Sequence, residues 1–160
     1  MIVVADSGPL HYLILLDLAD LLPKLYGEVL IPFAVAKELS SVGAPEKVRG
    51  WLAVAPAWLR AELVAPEHSG IVSDALGIGE REAIALAQIR HADLLLINDA
   101  DGRIEARRYG LRVTGTLGVL RVAGERRLID VNAVVRDLRA TNFYVDDNLM
   151  RLVFGKWLDC

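Results

Sequence analysis

Apolar residues in this chain fall into two patterns. Short runs stand almost unbroken at Ile2 to Ala5, Val29 to Ile31 and Leu94 to Ile97. Elsewhere apolar positions recur every third or fourth residue over ten or so residues. The short runs lack the polar alternation of a strand with one wet face, so they read as strands buried on both sides. Leu111 to Val113 adds a shorter strand, and Trp58 to Val64 reads as a strand at the sheet edge.

The periodic stretches between them predict helices. Ser7, Gly8 and Pro9 have the composition of a helix start, with Ser7 as a cap, and the helix continues through His11 to Leu16. A second helix spans Leu18 to Leu25 and is interrupted by Pro23. Pro32 opens another that reaches Leu39, and Pro45 to Val54 forms the next. The strongest helix signal is GEREAIALAQI, from Gly79 to near His91. Asp101 to Tyr109 is helical and closes at Gly110, a residue suited to a helix C-terminus. Leu117 to Arg126 and Val131 to Ala140 complete the series. These elements make up a domain over residues 1 to 140, with 141 to 160 as a C-terminal tail or a helix packed on the same domain.

Alternating strands and helices with fully apolar strands predict a three-layer α/β/α sandwich around a mainly parallel sheet. Ligands of such sheets sit beyond the carboxyl ends of the strands. Asp6 comes immediately after the first strand, and Asp99 lies just past Leu94 to Ile97 in LLLINDAD. Two strands therefore each deliver an acid to the same end of the sheet.

Two further acids fit that end. Glu38 lies about two turns into the helix after the second strand. Glu80 and Glu82 occupy the first turn of the best helix. They are two residues apart and point about 200° away from each other, so only one faces a given site. Glu80 shares its face with Ala83, Ile84 and Ala87, Glu82 with Leu86 and Ile89, and the helical wheel does not choose between them. Each acid has a plainer explanation. Asp6 could cap a helix, Glu38 could be solvated, first-turn glutamates favour the helix dipole, and Asp99 or Asp101 could be turn and cap residues. The convergence of acids from distant parts of the chain outweighs any one of them.

Composition changes this picture in three ways. The chain has 160 residues, 54% of them hydrophobic, and a mean hydropathy of +0.36, which suits one domain with a real core and argues against disorder. No apolar run reaches the roughly 18 residues that span a bilayer, and the N-terminus lacks the basic start of a secretion signal. Cys160, the single cysteine, can close no internal disulfide, which fits a reducing cytoplasm. The net charge of −3 is also unevenly spread. Nine arginines stand against five acids between Asp101 and Arg139, a local +4 that leaves about −7 elsewhere. A basic half beside an acidic one points toward phosphate, although a solvated helix face has the same composition.

Gathered carboxylates repel one another, and a divalent ion with oxygen ligands relieves that conflict. Mg²⁺ or Mn²⁺ is held by a few carboxylates and can activate water against a phosphodiester. Other chemistries are poorly supported. His11, His68 and His91 have no metal-ligand spacing, Ser7 has no histidine partner, and neither glycine-rich stretch has the dinucleotide-binding spacing. Trp51, Trp58 and Trp157 could stack bases but suit a core equally well. Arg103 and Arg107, one helical turn apart beside the Asp99 loop, could grip a substrate phosphate, an inhibitor's carboxylate or a neighbouring acid.

VADSGPL, IPFAVAKEL, GEREAIALA, LLLINDADGR and GTLGVL together resemble the PIN-domain family, and within it the VapC-like toxin ribonucleases, over roughly residues 1 to 125. The last three motifs are most similar to an uncharacterised VapC-like subgroup. The resemblance implies a PIN-like fold and a quartet of acids that binds Mg²⁺ or Mn²⁺. Asp6 and Glu38 match the first two acids, and the family's spacing to Ala87 selects Glu80 as the third, with Glu82 as substitute. At the fourth position Leu96 or Ile97 stands where a threonine or serine is usual. The acid there matches Asn98 or Asp99, with Asp101 near by. The same resemblance implies a metal-dependent endoribonuclease, the toxin of a type II toxin–antitoxin pair, with an RNA substrate, a small antitoxin partner and a homodimer. The alternatives are a silent PIN-fold module that binds RNA or protein, and another Mg²⁺-dependent phosphohydrolase.

Overall fold

A computed structural model describes residues 1–158, so the reading of Cys160 lies outside the described residues. Five parallel strands form the sheet: β1 (Val3–Ala5), β2 (Val29–Pro32), β3 (Leu59–Glu62), β4 (Leu94–Leu96) and β5 (Val113–Thr114). Their spatial order is β3-β2-β1-β4-β5, and every pairing is parallel. The chain builds outward from β1 to β2 and β3, then crosses back to place β4 on the other side of β1. The topological switch therefore lies between β1 and β4, where ligand crevices of such sheets open.

Side chains alternate across the strands and divide the core in two. Val3, Ala5, Val29, Ile31 and Leu96 point to one face; Val4, Leu30, Leu95 and Ile97 point to the other. The first face is covered by α1 (Ser7–Leu15), α2 (Leu21–Tyr26), α3 (Phe33–Leu39), α4 (Glu46–Ala53), α8 (Thr116–Glu125), α9 (Val131–Arg139) and α10 (Asp147–Leu158). The second is covered chiefly by α6 (Ile78–Ile89), with α7 (Ala100–Arg108) alongside. Ala83, Ala85 and Ala87 let α6 lie close to the strands, while Ile84 and Leu86 fill the space between. This is the α/β/α sandwich, and its sheet is parallel throughout.

Several boundaries differ from the sequence-based expectation for local reasons. Pro23 interrupts nothing, because α2 starts at Leu21 and the proline falls in the first turn, where its missing N–H has no intrahelical partner to lose. The fifth strand begins two residues late. Leu111 donates its N–H to Ala106 at 3.2 Å and finishes the turn after α7, so pairing with β4 starts at Val113. A short helix, α5 (Pro66–Ser69), fills a stretch that the pattern left unassigned.

Residues beyond 140 include α10, which packs on α8 and α9. Phe154 is fully buried there, worth roughly 1.5–3 kcal/mol relative to exposure. Gly124 permits the approach: a Cβ at that position would stand 2.6 Å from Val131 Cγ2 and 3.1 Å from Trp157.

Candidate functional site

Because the sheet is parallel, β1, β2 and β4 all end at the same edge. β1 runs straight into Asp6, whose N–H donates to the Leu96 carbonyl of β4 at 2.8 Å. That bond fixes Asp6 at the switch point. Asp6 occupies the N-cap position of α1, yet its side chain makes no capping hydrogen bond. It is only 4% exposed, and its Oδ1 accepts no hydrogen bond among the described residues. A buried carboxylate oxygen without a partner is costly, so it needs an explanation.

Glu38 rides on α3 and is solvent-exposed. The first turn of α6 brings it opposite Asp6. A Cβ on Gly79 would lie 3.5 Å from Glu38 Oε1 and 3.6 Å from Asp6 Oδ1. Both carboxylates thus face one point above a glycine that leaves the space open.

Glu80 is half-buried beside them and reaches back to accept the Gly77 N–H at 2.9 Å, one half of a capping box. Burial raises its carboxyl above the usual range, the Gly77 N–H draws it down, and the charges of Asp99, Glu38 and Asp101 raise it again. Glu82 turns the other way and accepts the Ala34 N–H at 3.2 Å, satisfying a free donor at the start of α3. The two glutamates, equivalent on the helical wheel, thus accept from different backbone donors.

Past β4 the two residues of the fourth position have different fates. Asn98 accepts the Thr116 N–H at 2.8 Å and donates from its amide nitrogen to the Thr116 hydroxyl at 3.0 Å. Its side chain pins the β5–α8 turn. Asp99 caps α7 by accepting the Gly102 N–H at 2.8 Å through one oxygen. Asp101 is exposed in the next turn. Arg103 is half-buried, with an Nε that has no partner among the described residues; Arg107, one turn on, is exposed.

The electrostatics tie four acids together. Burial lifts the Asp6 carboxyl from 3.8 to about 7, partly offset by the Ser7 N–H and reinforced by Glu80, Glu38 and Asp99. Among the described residues, no lysine or arginine forms an ion pair with any of these four. Among the described residues, no three carboxylate, imidazole or thiol side chains stand close enough together to hold a metal ion as a group. Mg²⁺ binds through one or two carboxylates and keeps several waters, so an open, all-oxygen group suits it. The unpartnered Asp6 oxygen and the Glu38 oxygen across Gly79 are donors of the kind such an ion takes.

Two clefts, one sharing Glu38 and the other bordered by Asn98, were missed by sequence reasoning. One, about 490 Å³, has His11, Tyr12, Glu38, Ser41 and Asn142 in its walls. The other, about 350 Å³, is lined by Asn98, Arg103, Thr116, Arg121 and Tyr144 among others. The segment between α9 and α10 contributes to both, through Asn142 and Tyr144. No local motif announced this, because that segment meets α1 and α8 only after the fold is complete.

No curated protein and no solved structure matches the chain. A family model described as a PIN domain matches residues 2–158, past the stretch carrying the motifs and through α10. With that match over a parallel α/β/α sandwich, the chain belongs to the PIN-domain family, whose fold is of the nuclease type.

Proposed function

We propose that this protein is a Mg²⁺- or Mn²⁺-dependent endoribonuclease in which Asp6, Glu38, Glu80 and Asp99 hold the metal. The observation that carries the reading is the buried Asp6 carboxylate, which has an unpartnered oxygen set across Gly79 from Glu38. A divalent ion bound there would neutralise the acids, acidify a water and stabilise charge on the phosphodiester. Asp6 is held rigidly by the β1–β4 ladder. Glu80 and Asp99 are each oriented by one backbone N–H, which leaves one oxygen for a cation. Arg103 is the arginine best placed to receive a substrate phosphate, since it lines the cleft that opens beside Asn98. Arg107 would act farther along the strand.

Similarity to VapC-like motifs supports the toxin role in a toxin–antitoxin pair, in the cytoplasm, with a small antitoxin and a homodimer as partners. No described helix is long and apolar enough to cross a membrane. A second reading, a PIN-fold module that binds RNA without cutting, gains from the Asp99 oxygen already given to Gly102 and from the Asn98 amide given to Thr116.

Cleavage of a mixed RNA pool with Mn²⁺ or Mg²⁺, against an Asp6→Asn control, separates these readings. Cutting that needs the metal and disappears in the control supports the enzyme. Binding without cutting supports the silent module, and absence of any RNA binding favours a phosphohydrolase of another substrate class.

A further inference from the structure

We propose that the cleft between α1 and the turn joining α3 to α4 is a nucleobase pocket that selects the base beside the scissile phosphate. This rests on the RNA-directed reading of the acid site. The cleft shares Glu38 with that site, so whatever fills it lies next to the metal position. Its volume of about 490 Å³ is within the usual range for small-ligand sites.

The side chains of the lining disfavour a phosphate. No lysine or arginine lines the cleft, and Glu38 would repel an anion. The opposite cleft, with Arg103 and Arg121, has the contrary character. A ribonucleotide strand has two kinds of group to place, charged phosphates and flat neutral bases, and the two clefts differ in that same way. Single-stranded RNA is read by splaying a base onto aromatic surfaces and bonding to its polar edge.

The walls can do both. His11 and Tyr12 sit edge to face with ring centroids 4.8 Å apart, and Tyr12 packs edge-on against Phe143 at 4.8 Å. The Tyr12 hydroxyl donates to Asn142 Oδ1 at 2.8 Å, which holds the far wall in place. With that oxygen taken, the Asn142 amide nitrogen can donate to a carbonyl or ring nitrogen of a base. The Ser41 hydroxyl donates to the Glu38 carbonyl at 2.8 Å and keeps lone pairs for an exocyclic amine. The His11 ring adds two nitrogens to the same cleft.

The test measures binding apart from cutting. Fluorescence anisotropy in EDTA would compare the full chain on four labelled short RNAs that differ in one central base. The wild type should discriminate among the four bases at least fivefold. Asn142→Ala and Ser41→Ala, both at exposed positions, should narrow that spread to under twofold. His11→Ala should weaken the preferred RNA about tenfold, the scale of one lost stacking contact. Arg103→Ala should weaken all four alike. Equal binding of the four RNAs by the wild type, a spread that survives in both Asn142→Ala and Ser41→Ala, or no RNA binding at all would overturn the pocket. If the spread behaves as expected while Mn²⁺ elicits no cutting, only the nuclease reading fails.

Discussion

Replacing Asp6 by Asn should stabilise the metal-free protein at alkaline pH while abolishing its response to metal. The carboxyl is 4% exposed, and burial among other acids lifts its pKa from 3.8 to about 7. Between those two values the native protein holds a proton that the unfolded chain has released, so stability falls as pH rises. Below 3.8 both states are protonated and nothing is lost; above about 7 both are ionised and the loss is complete. At about 1.4 kcal/mol per pH unit, the full loss is about 4 kcal/mol. Roughly 2–3 kcal/mol of it develops between pH 5 and pH 8. Asparagine keeps the shape and removes the titration. Every other ionisable group is common to both proteins, so their difference reports Asp6 together with its coupling to Glu80, Glu38 and Asp99. For a chain of this length, Tm moves roughly 2–4 °C per kcal/mol. Calorimetry in EDTA should therefore show the wild type losing roughly 5–10 °C relative to Asp6→Asn between pH 5 and pH 8. Mn²⁺ added at pH 8 should raise the wild-type Tm and leave the variant unmoved. Parallel stability curves for the two proteins across that window would refute the argument that burial of the Asp6 charge outweighs its Ser7 N–H partner.

Two other substitutions probe the same edge of the sheet. Glu82→Ala should cost about 0.5–1.5 kcal/mol in urea denaturation, because the Ala34 N–H loses its acceptor, and should leave RNA cleavage intact. A hundredfold loss of cleavage in a folded Glu82→Ala protein would move Glu82 into the site. Gly79→Ala should gain up to about 1 kcal/mol from helix propensity, since its new methyl meets only ordinary contact distances. That methyl stands between Asp6 and Glu38, so calorimetric titration should show Mn²⁺ binding at least tenfold weaker; unchanged affinity would place the ion elsewhere.

The unbroken apolar runs at Val3, Val29 and Leu94 are sufficient to announce a buried parallel sheet, because only strands covered on both faces dispense with polar alternation. Asp6 and Asp99 come directly after their strands, so their arrival at one edge was also readable along the chain. The helical period of GEREAIALAQI placed Glu80 and Glu82 in a first turn but could not say which neighbour each would find. Periodicity describes a helix's own surface and not the backbone packed against it. Gly77, whose N–H donates to Glu80, is the N-cap of the same helix, whereas the Ala34 N–H that donates to Glu82 is brought there by the close approach of α3 and α6. Asn98 illustrates the same limit, since its partner Thr116 lies past the neighbouring strand, whereas the Asp99 cap on Gly102 is local.

The sequence by itself therefore determined the layers, the direction of the strands and the placing of Asp6 and Asp99 just past two of them, since burial and turn chemistry act locally. Tertiary structure alone decided which oxygen is left without a donor and where the clefts open. It also decided that the segment after α9 closes them, because those outcomes depend on distances between parts of the chain that meet only when folding is finished.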